Sequence, residues 1–375
     1  MSGSIYEEIG LRPVINAMGS MTYLGGSLMA PEVVEAMDRA ARHFVRVDEL
    51  IAWGGREVAR LTGAEAGHIT TGSAGGLLLA AAACLTGTDR GRMQRLPDTA
   101  GMKNEVVVQR LHRISFDQAI RTAGARLVEA GEASGCTAAQ LEAAINDNTA
   151  AVLYVDLHPQ PVVELAEAAA IAHRHGVPLI LDAAAELPPA DNLNAFLRQG
   201  ADLVIFSGGK DIAGPNDSGI LCGRADLVRA AAMQSFPNSG IGRPLKVGKE
   251  QIVGLVWALR RWASLDHEAR VRQWQAQAEA MCDALRGLRG VQAEVAFATR
   301  GSRPVIVPRA RVTVDEALMR VDDLAEALMS GEPAIAAAAD SRGRALWLSP
   351  QHLEPGEEEI VAVRLRQVLE QASLA

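Results

Sequence analysis

Three segments of this chain each attach an apolar run to residues that can do chemistry. The first, Thr70-Thr71-Gly72-Ser73-Ala74-Gly75-Gly76, leads into the apolar stretch Leu77 to Leu85. Small residues at a helix start leave backbone N–H groups and a hydroxyl open to an anion, and the helix dipole favours the negative charge. A phosphate suits such a turn, although a turn that only lets a helix pack closely on a sheet has the same composition. The second segment, Val177 to Leu181, reads as a buried strand that delivers Asp182 at its C-terminal end. Open α/β sheets bind ligands beyond the carboxyl ends of their strands, while an aspartate there also serves as a cap for the next turn. In the third, the strand-like run Leu203 to Phe206 is followed by Ser207, Gly208, Gly209 and Lys210. A lysine at the end of a core strand is costly to bury without a task, and two glycines before it let the backbone crowd a planar group.

Taken together, the three segments specify more than any one alone. Asp182 stands 110 positions past Gly72, whereas a dinucleotide site wants its acid about twenty residues beyond the glycine turn. A pyridoxal phosphate site needs a phosphate cradle, an acid that keeps the ring nitrogen protonated, and a lysine that condenses with the aldehyde. All three are present in that order. Asp182 and Lys210 are 28 positions apart, enough for one helical crossover that brings both to the same sheet edge.

The elements expected to position these residues follow the rhythm of βαβ units. Glu105 to Gln109, Ala151 to Val155, Pro178 to Leu181, Leu203 to Phe206 and Gly219 to Cys222 are almost continuously apolar, as strands buried on both faces should be. Thr137 to Asn146 and Leu165 to His175 carry apolar residues at helical spacing between them. The fold class is therefore α/β, a mostly parallel sheet covered by helices. From Lys249 to Leu288 the sequence favours helix throughout, and Val291 to Val307 and Ala345 to Leu348 read as short strands. The expected organisation is an arm over residues 1–26, a large domain over 27–250, and a smaller α/β domain over 251–375 entered through one long helix. Arg12 to Gly26 and Gly87 to Asn104 are expected to be irregular.

Composition narrows the function classes. Forty-five acidic residues against 37 basic ones give a net charge of −8, so no basic field exists to hold a nucleic acid. Cys84, Cys136, Cys222 and Cys282 are scattered and form no CxxC, which suggests buried free thiols in a reducing cytoplasm and no metal site. His173 and His175 sit at a helix end, where cations suit the dipole. No apolar run is long enough to span a bilayer, and the first ten residues lack a signal-peptide pattern.

The chain resembles fold-type-I pyridoxal phosphate enzymes, and within them the selenocysteine synthase-like group with its ammonia-lyase members. The matching segments are RPVINAMGSMTYLGG from Arg12, LTGAEAGHITTGSAGG from Leu61, LPDTAGMKNEVVVQ from Leu96, LILDAAAELPP from Leu179, FSGGKDIAGPNDSGILCG from Phe206 and GIGRPLKVGKEQIVGL from Gly240. SGGKDIAGP and LPDTAGMKNEVV are the specific ones.

The resemblance implies a large domain with a seven-stranded-type sheet, and Lys210 as the Schiff-base lysine and α-proton base. It also implies Asp182 as partner of the ring nitrogen, and Gly72, Ser73 and Ala74 on the phosphate with help from Ser207. His112 is the implied ring-stacking side chain and a candidate general acid, with Phe116 as the alternative. Arg12, Asn16, Thr22 and Arg243 are the implied substrate-binding residues, with Lys246 and Lys249 in the same loop. After Gly331-Glu332-Pro333 the arginine usual in the group is absent, so the resemblance does not fix the substrate. The expected reaction is α-proton abstraction and β-elimination on an amino acid or amino sugar acid, giving a 2-oxo acid and ammonia. Transamination, racemisation, aldol cleavage, selenium-type transfer or a silent binding role remain alternatives. A homodimer or larger homo-oligomer is implied.

Overall fold

Seven runs of the chain form one sheet. They are β1 (Ala66–Thr71), β2 (Glu105–Gln109), β3 (Arg126–Ala130), β4 (Thr149–Val155), β5 (Leu179–Asp182), β6 (Leu203–Ser207) and β7 (Ser218–Gly223), in the spatial order β1-β7-β6-β5-β4-β2-β3. Strands β2 to β6 pair in parallel, and β7 runs antiparallel between β6 and β1. The C-terminal ends of β1, β2, β4, β5 and β6 therefore lie along one edge. The sequence pattern follows from burial on both faces: Val106, Leu153, Ile180 and Ile205 enter one core, and Val107, Val152, Leu181 and Val204 enter the other. Alternate side chains thus meet helices on opposite sides, so the whole run must be apolar.

The computed structural model describes residues 4–155, 161–297 and 306–374. The chain divides into two units, Ser27–Leu265 and Met1–Gly26 with Asp266–Ala375. The division differs from the expected one in two places. The helix-favouring stretch is two helices, Lys249–Ala263 and His267–Asp283, because Asp266 caps the second by accepting from Ala269 N at 2.8 Å. The first helix buries Ile252, Leu255 and Leu259 in the core of the sheet-bearing unit, so the boundary falls after it rather than at residue 250. The arm belongs with the C-terminal residues, since Val14–Asn16 forms a parallel pair of strands with Ala334–Ala336.

Within that second unit an antiparallel sheet is ordered Ala338–Asp340, Ala345–Leu348, Pro308–Val314, Val291–Phe297. Ala310, Val312, Leu346 and Leu348 pack with Met281, Leu324, Val361 and Leu365 from its helices. Of the expected strand Val291 to Val307, residues 298–305 lie outside those described, and Pro308–Val314 is a further strand that the charged Arg309 and Arg311 concealed.

Sequence reading also missed β1 and β3. The first carries His68 and three threonine or glycine positions; the second is an edge strand whose Arg126 and Glu129 tolerate solvent. The expected irregular stretch Gly87 to Asn104 contains a helix, Arg90–Arg95, capped by Asp89. The cysteines Cys136, Cys222 and Cys282 are buried free thiols, and burial pushes Cys222 up to about 12. Among the described residues no helix is long and apolar enough to cross a membrane.

The end of the sheet opposite the aligned C-termini is fastened by Asp202, a buried carboxylate just before β6. It accepts from Leu179 N at 2.7 Å, His173 Nε2 at 2.8 Å and Arg224 Nη1 at 3.1 Å, joining β5, a covering helix and the end of β7. Asp202→Ala leaves a buried N–H without its acceptor and should cost about 2–3 kcal/mol. A thermal melt of the variant, lowered by roughly 5–10 °C, checks this.

Candidate active site

β1 ends at Thr71 and turns directly into the helix Gly72–Thr86. Gly72 has φ +62, and a Cβ there would meet nothing within 4 Å, so glycine is needed for its backbone conformation and not for space. Gly76 is needed for space: a Cβ would lie 2.9 Å from Ile205 Cγ2 on β6. The helix therefore packs tightly on the sheet, and the two possible roles of small residues in this turn divide between these two glycines. Thr71, in the N-cap position, makes no side-chain hydrogen bond to the helix; its hydroxyl donates to Leu245 O at 3.0 Å. The first-turn N–H groups of Ser73 and Ala74 are thus left without a side-chain cap at the sheet edge.

Three strands along the sheet from β1, Asp182 closes β5. It is paired in register with Ile205 of β6 and Val155 of β4, is 7% exposed, and accepts from Ala184 N at 3.1 Å. β6 continues past Ile205 through Phe206 to Ser207, whose register partner on β7 is Gly219; Gly219 in turn pairs with Thr70 of β1. Ser207 therefore stands on the line of residues that leads to the glycine turn. The chain then turns through Gly208 and Gly209 to Lys210. Each glycine is required: a Cβ at Gly208 would run into Ser218 Oγ, and one at Gly209 into Asn216 Cα. The register thus puts the acid and the lysine on neighbouring strand ends.

His112 lies in the 3-10 turn Arg110–His112 immediately after β2, and is buried. Its ring meets Tyr154 of β4 edge-on, centroids 4.4 Å apart at 67°. The turn is anchored by Gln109, a buried side chain that donates to Val163 O at 2.9 Å and accepts from Val163 N at 2.7 Å. The alternative ring, Phe116, is 64% exposed.

Arg243 sits in the loop that follows the helix Ala225–Gln234. Gln234, fully buried, holds that loop: its carbonyl accepts from Gly242 N at 2.9 Å, and a Cβ on Gly240 would lie 2.5 Å from its Cα. The loop reaches the glycine turn through the Thr71–Leu245 hydrogen bond. Arg243 and Lys246 stand over the Phe236 ring at 5.2 and 5.5 Å. Lys249 is tied elsewhere, to Ala40 O at 2.5 Å and Glu250 Oε1 at 2.8 Å.

The other three expected substrate residues belong to the second unit. Arg12 donates to Met329 O at 2.5 Å and Ser330 O at 3.4 Å, at the last carbonyls of the helix Val321–Ser330. Asn16 shapes its own loop, donating from Nδ2 to Gly19 O at 2.9 Å and accepting from Met18 N at 3.0 Å. Thr22 is exposed at the start of the 3-10 turn Thr22–Leu24.

Gly72 to Ala74, Asp182, Ser207, Lys210 and His112 therefore share one sheet edge, and Arg243 adjoins it. This donor set fits pyridoxal phosphate. An uncapped helix start offers N–H groups to a phosphate, a buried carboxylate suits a cationic ring nitrogen, and a lysine supplies the amine. Tyr154, Gln109 and Gln234 were not legible as site-builders, since each is one polar or aromatic residue in an apolar segment.

The family profile described as SelA, L-seryl-tRNA selenium transferase, matches residues 14–337. The chain is 37% identical over 381 residues to the D-glucosaminate-6-phosphate ammonia lyase of Salmonella typhimurium, covering 100% of both chains. It is also 37% identical over 378 residues to a 5'-C-glycyluridine monooxygenase-decarboxylase of a Streptomyces species, covering 97% of this chain and 92% of that one. A solved structure of D-glucosaminate-6-phosphate ammonia-lyase is similar over 100% of both chains, with 38% identity and a TM-score of 0.86.

If the glycine turn holds the phosphate, Gly72→Ala, which forces a side chain into the left-handed region at about 1–2 kcal/mol, should weaken pyridoxal phosphate binding roughly tenfold. Titration of the cofactor-free protein measures it. An unchanged dissociation constant would mean that the phosphate is held elsewhere.

Proposed function

This chain belongs to the SelA family of pyridoxal phosphate enzymes, and on that premise we propose that it is an ammonia-lyase that removes ammonia from an amino acid or amino sugar acid. The observation that carries this reading is the likeness to an ammonia lyase over the full length of both chains. The register that brings Asp182 and Lys210 to one edge supports it.

Gly72, Ser73, Ala74 and Ser207 would hold the phosphate, Asp182 the ring nitrogen, and Lys210 the aldehyde carbon. When bound, pyridoxal phosphate supplies an electron sink for a carbanion beside a nitrogen-bearing carbon. The amine of Lys210 would take the α-proton of the bound substrate. His112, held against Tyr154, gives a proton to the departing β-hydroxyl, which leaves as water. Water then re-enters as ammonia is lost, so the net change is an amino acid to a 2-oxo acid plus ammonia.

Arg243, beside the glycine turn, suits an acidic group on the substrate. Asn16 and Thr22 are proposed substrate contacts. We take the protein to be cytoplasmic and homodimeric, in keeping with its free cysteines and with the exposed apolar side chains Tyr23, Leu28 and Phe44.

Two measurements test the function. Incubated with D- and L-amino acids and amino sugar acids, the enzyme should release ammonia and a 2-oxo acid with no amino acceptor and no oxygen uptake; oxygen consumption with carbon dioxide release would replace elimination by oxidative decarboxylation. Lys210→Ala should abolish turnover and the visible absorbance of the bound cofactor together. A coloured, active Lys210→Ala variant would remove the lysine from its role.

A further inference from the structure

The loop that carries Lys210 is fastened from the two places where the chain passes between its units. Ser27, the first residue after one crossing, donates its hydroxyl to Lys210 O at 2.8 Å and Gly209 O at 3.0 Å. Trp262, three residues before the other crossing, donates its indole N–H to Asp211 Oδ2 at 2.7 Å. Trp262 and Asp211 are 2% and 3% exposed. The residue before Lys210, the lysine's own carbonyl and the residue after it are thus each held by a partner distant in sequence.

Within the loop the backbone has little freedom. Gly208 N donates to Ser218 O, Gly214 N to Gly208 O and Ala213 N to Lys210 O, at 2.8, 2.8 and 2.9 Å. Ala213 is held at φ +56, a left-handed conformation that alanine keeps only where its surroundings impose it. A carboxylate accepting an indole N–H in a dry setting makes a strong, directional fastening. These contacts do not touch the reacting atoms, but they decide where the lysine's Cα sits and where its side chain starts.

We propose that Ser27 and the Trp262–Asp211 pair are positioning residues for Lys210. They hold the backbone on both sides of the lysine so that its amine is presented in one orientation, and they tie that orientation to both chain crossings. The proposal rests on the reading of Lys210 as the cofactor lysine. Trp262 and Asp211 sit in the packed interior, so Trp262→Phe tests the pair by removing the donor while keeping an aromatic ring, at the cost of some core volume. Ser27→Ala removes the other fastening without opening the core, and Ser27→Thr keeps the hydroxyl as the conservative control.

The cofactor-free protein is given pyridoxal phosphate and the growth of the visible band is timed, with kcat and KM measured on the loaded enzyme. Ser27→Ala and Trp262→Phe should form the band at least about tenfold more slowly, since a small misplacement of a reacting group has large kinetic effects. Their kcat should fall with KM little changed, and Ser27→Thr should restore both. If the band forms in both variants at the rate of the unaltered protein, with kcat intact and only the melting temperature lowered, the residues are structural and the proposal is overturned. An unaltered protein that forms no band overturns the reading of Lys210 and this proposal with it.

Discussion

A carboxylate and an amine can serve opposite ends of one small ring only if the strands that carry them stop at the same place. Here the pairing of Asp182 with Ile205 sets that condition. From Ile205 the chain continues through Phe206 and Ser207 to the glycines that precede Lys210, so a shift of β6 by one residue would turn its side chains to the wrong face and move the lysine away from the acid. Much of the remaining structure of this unit serves that register. Asp202 fixes the start of both strands from one side, Gly76 lets a helix lie directly on Ile205, and β7 closes the gap to the glycine turn.

The parts legible in the sequence were those governed by burial on two faces. β2, β4, β5, β6 and β7 announce themselves as nearly continuous apolar runs because both sides of each strand are dry, and Asp182 and Lys210 stand out because each interrupts that pattern at a strand end. Elements with one wet face were harder to see: β3 carries Arg126 and Glu129, and Pro308–Val314 carries Arg309 and Arg311. The long helix expected from Lys249 was two helices, because helix propensity does not register a capping aspartate inside a helix-favouring run.

The site divides along the same line. Residues attached to strand ends lie at the expected edge, whereas those in the arm answer to local hydrogen bonds that spacing cannot reveal. Arg12 caps a helix more than three hundred positions away, and Asn16 folds its own turn. Ser27 and Trp262 carry no sequence signal, and Asp211 stands in the specific SGGKDIAGP segment with no role attached to it. A serine, an aspartate and a tryptophan acquire meaning only when the fold brings them to the loop beside Lys210.

The covalent role of Lys210 is tested most directly by reducing the loaded protein with borohydride, digesting it and locating the pyridoxyl group by mass. The label should fall on the peptide that contains Lys210, and Asp182→Asn should still be labelled there while losing activity. A label on any other lysine, or none, would contradict the placement of the active site at this sheet edge.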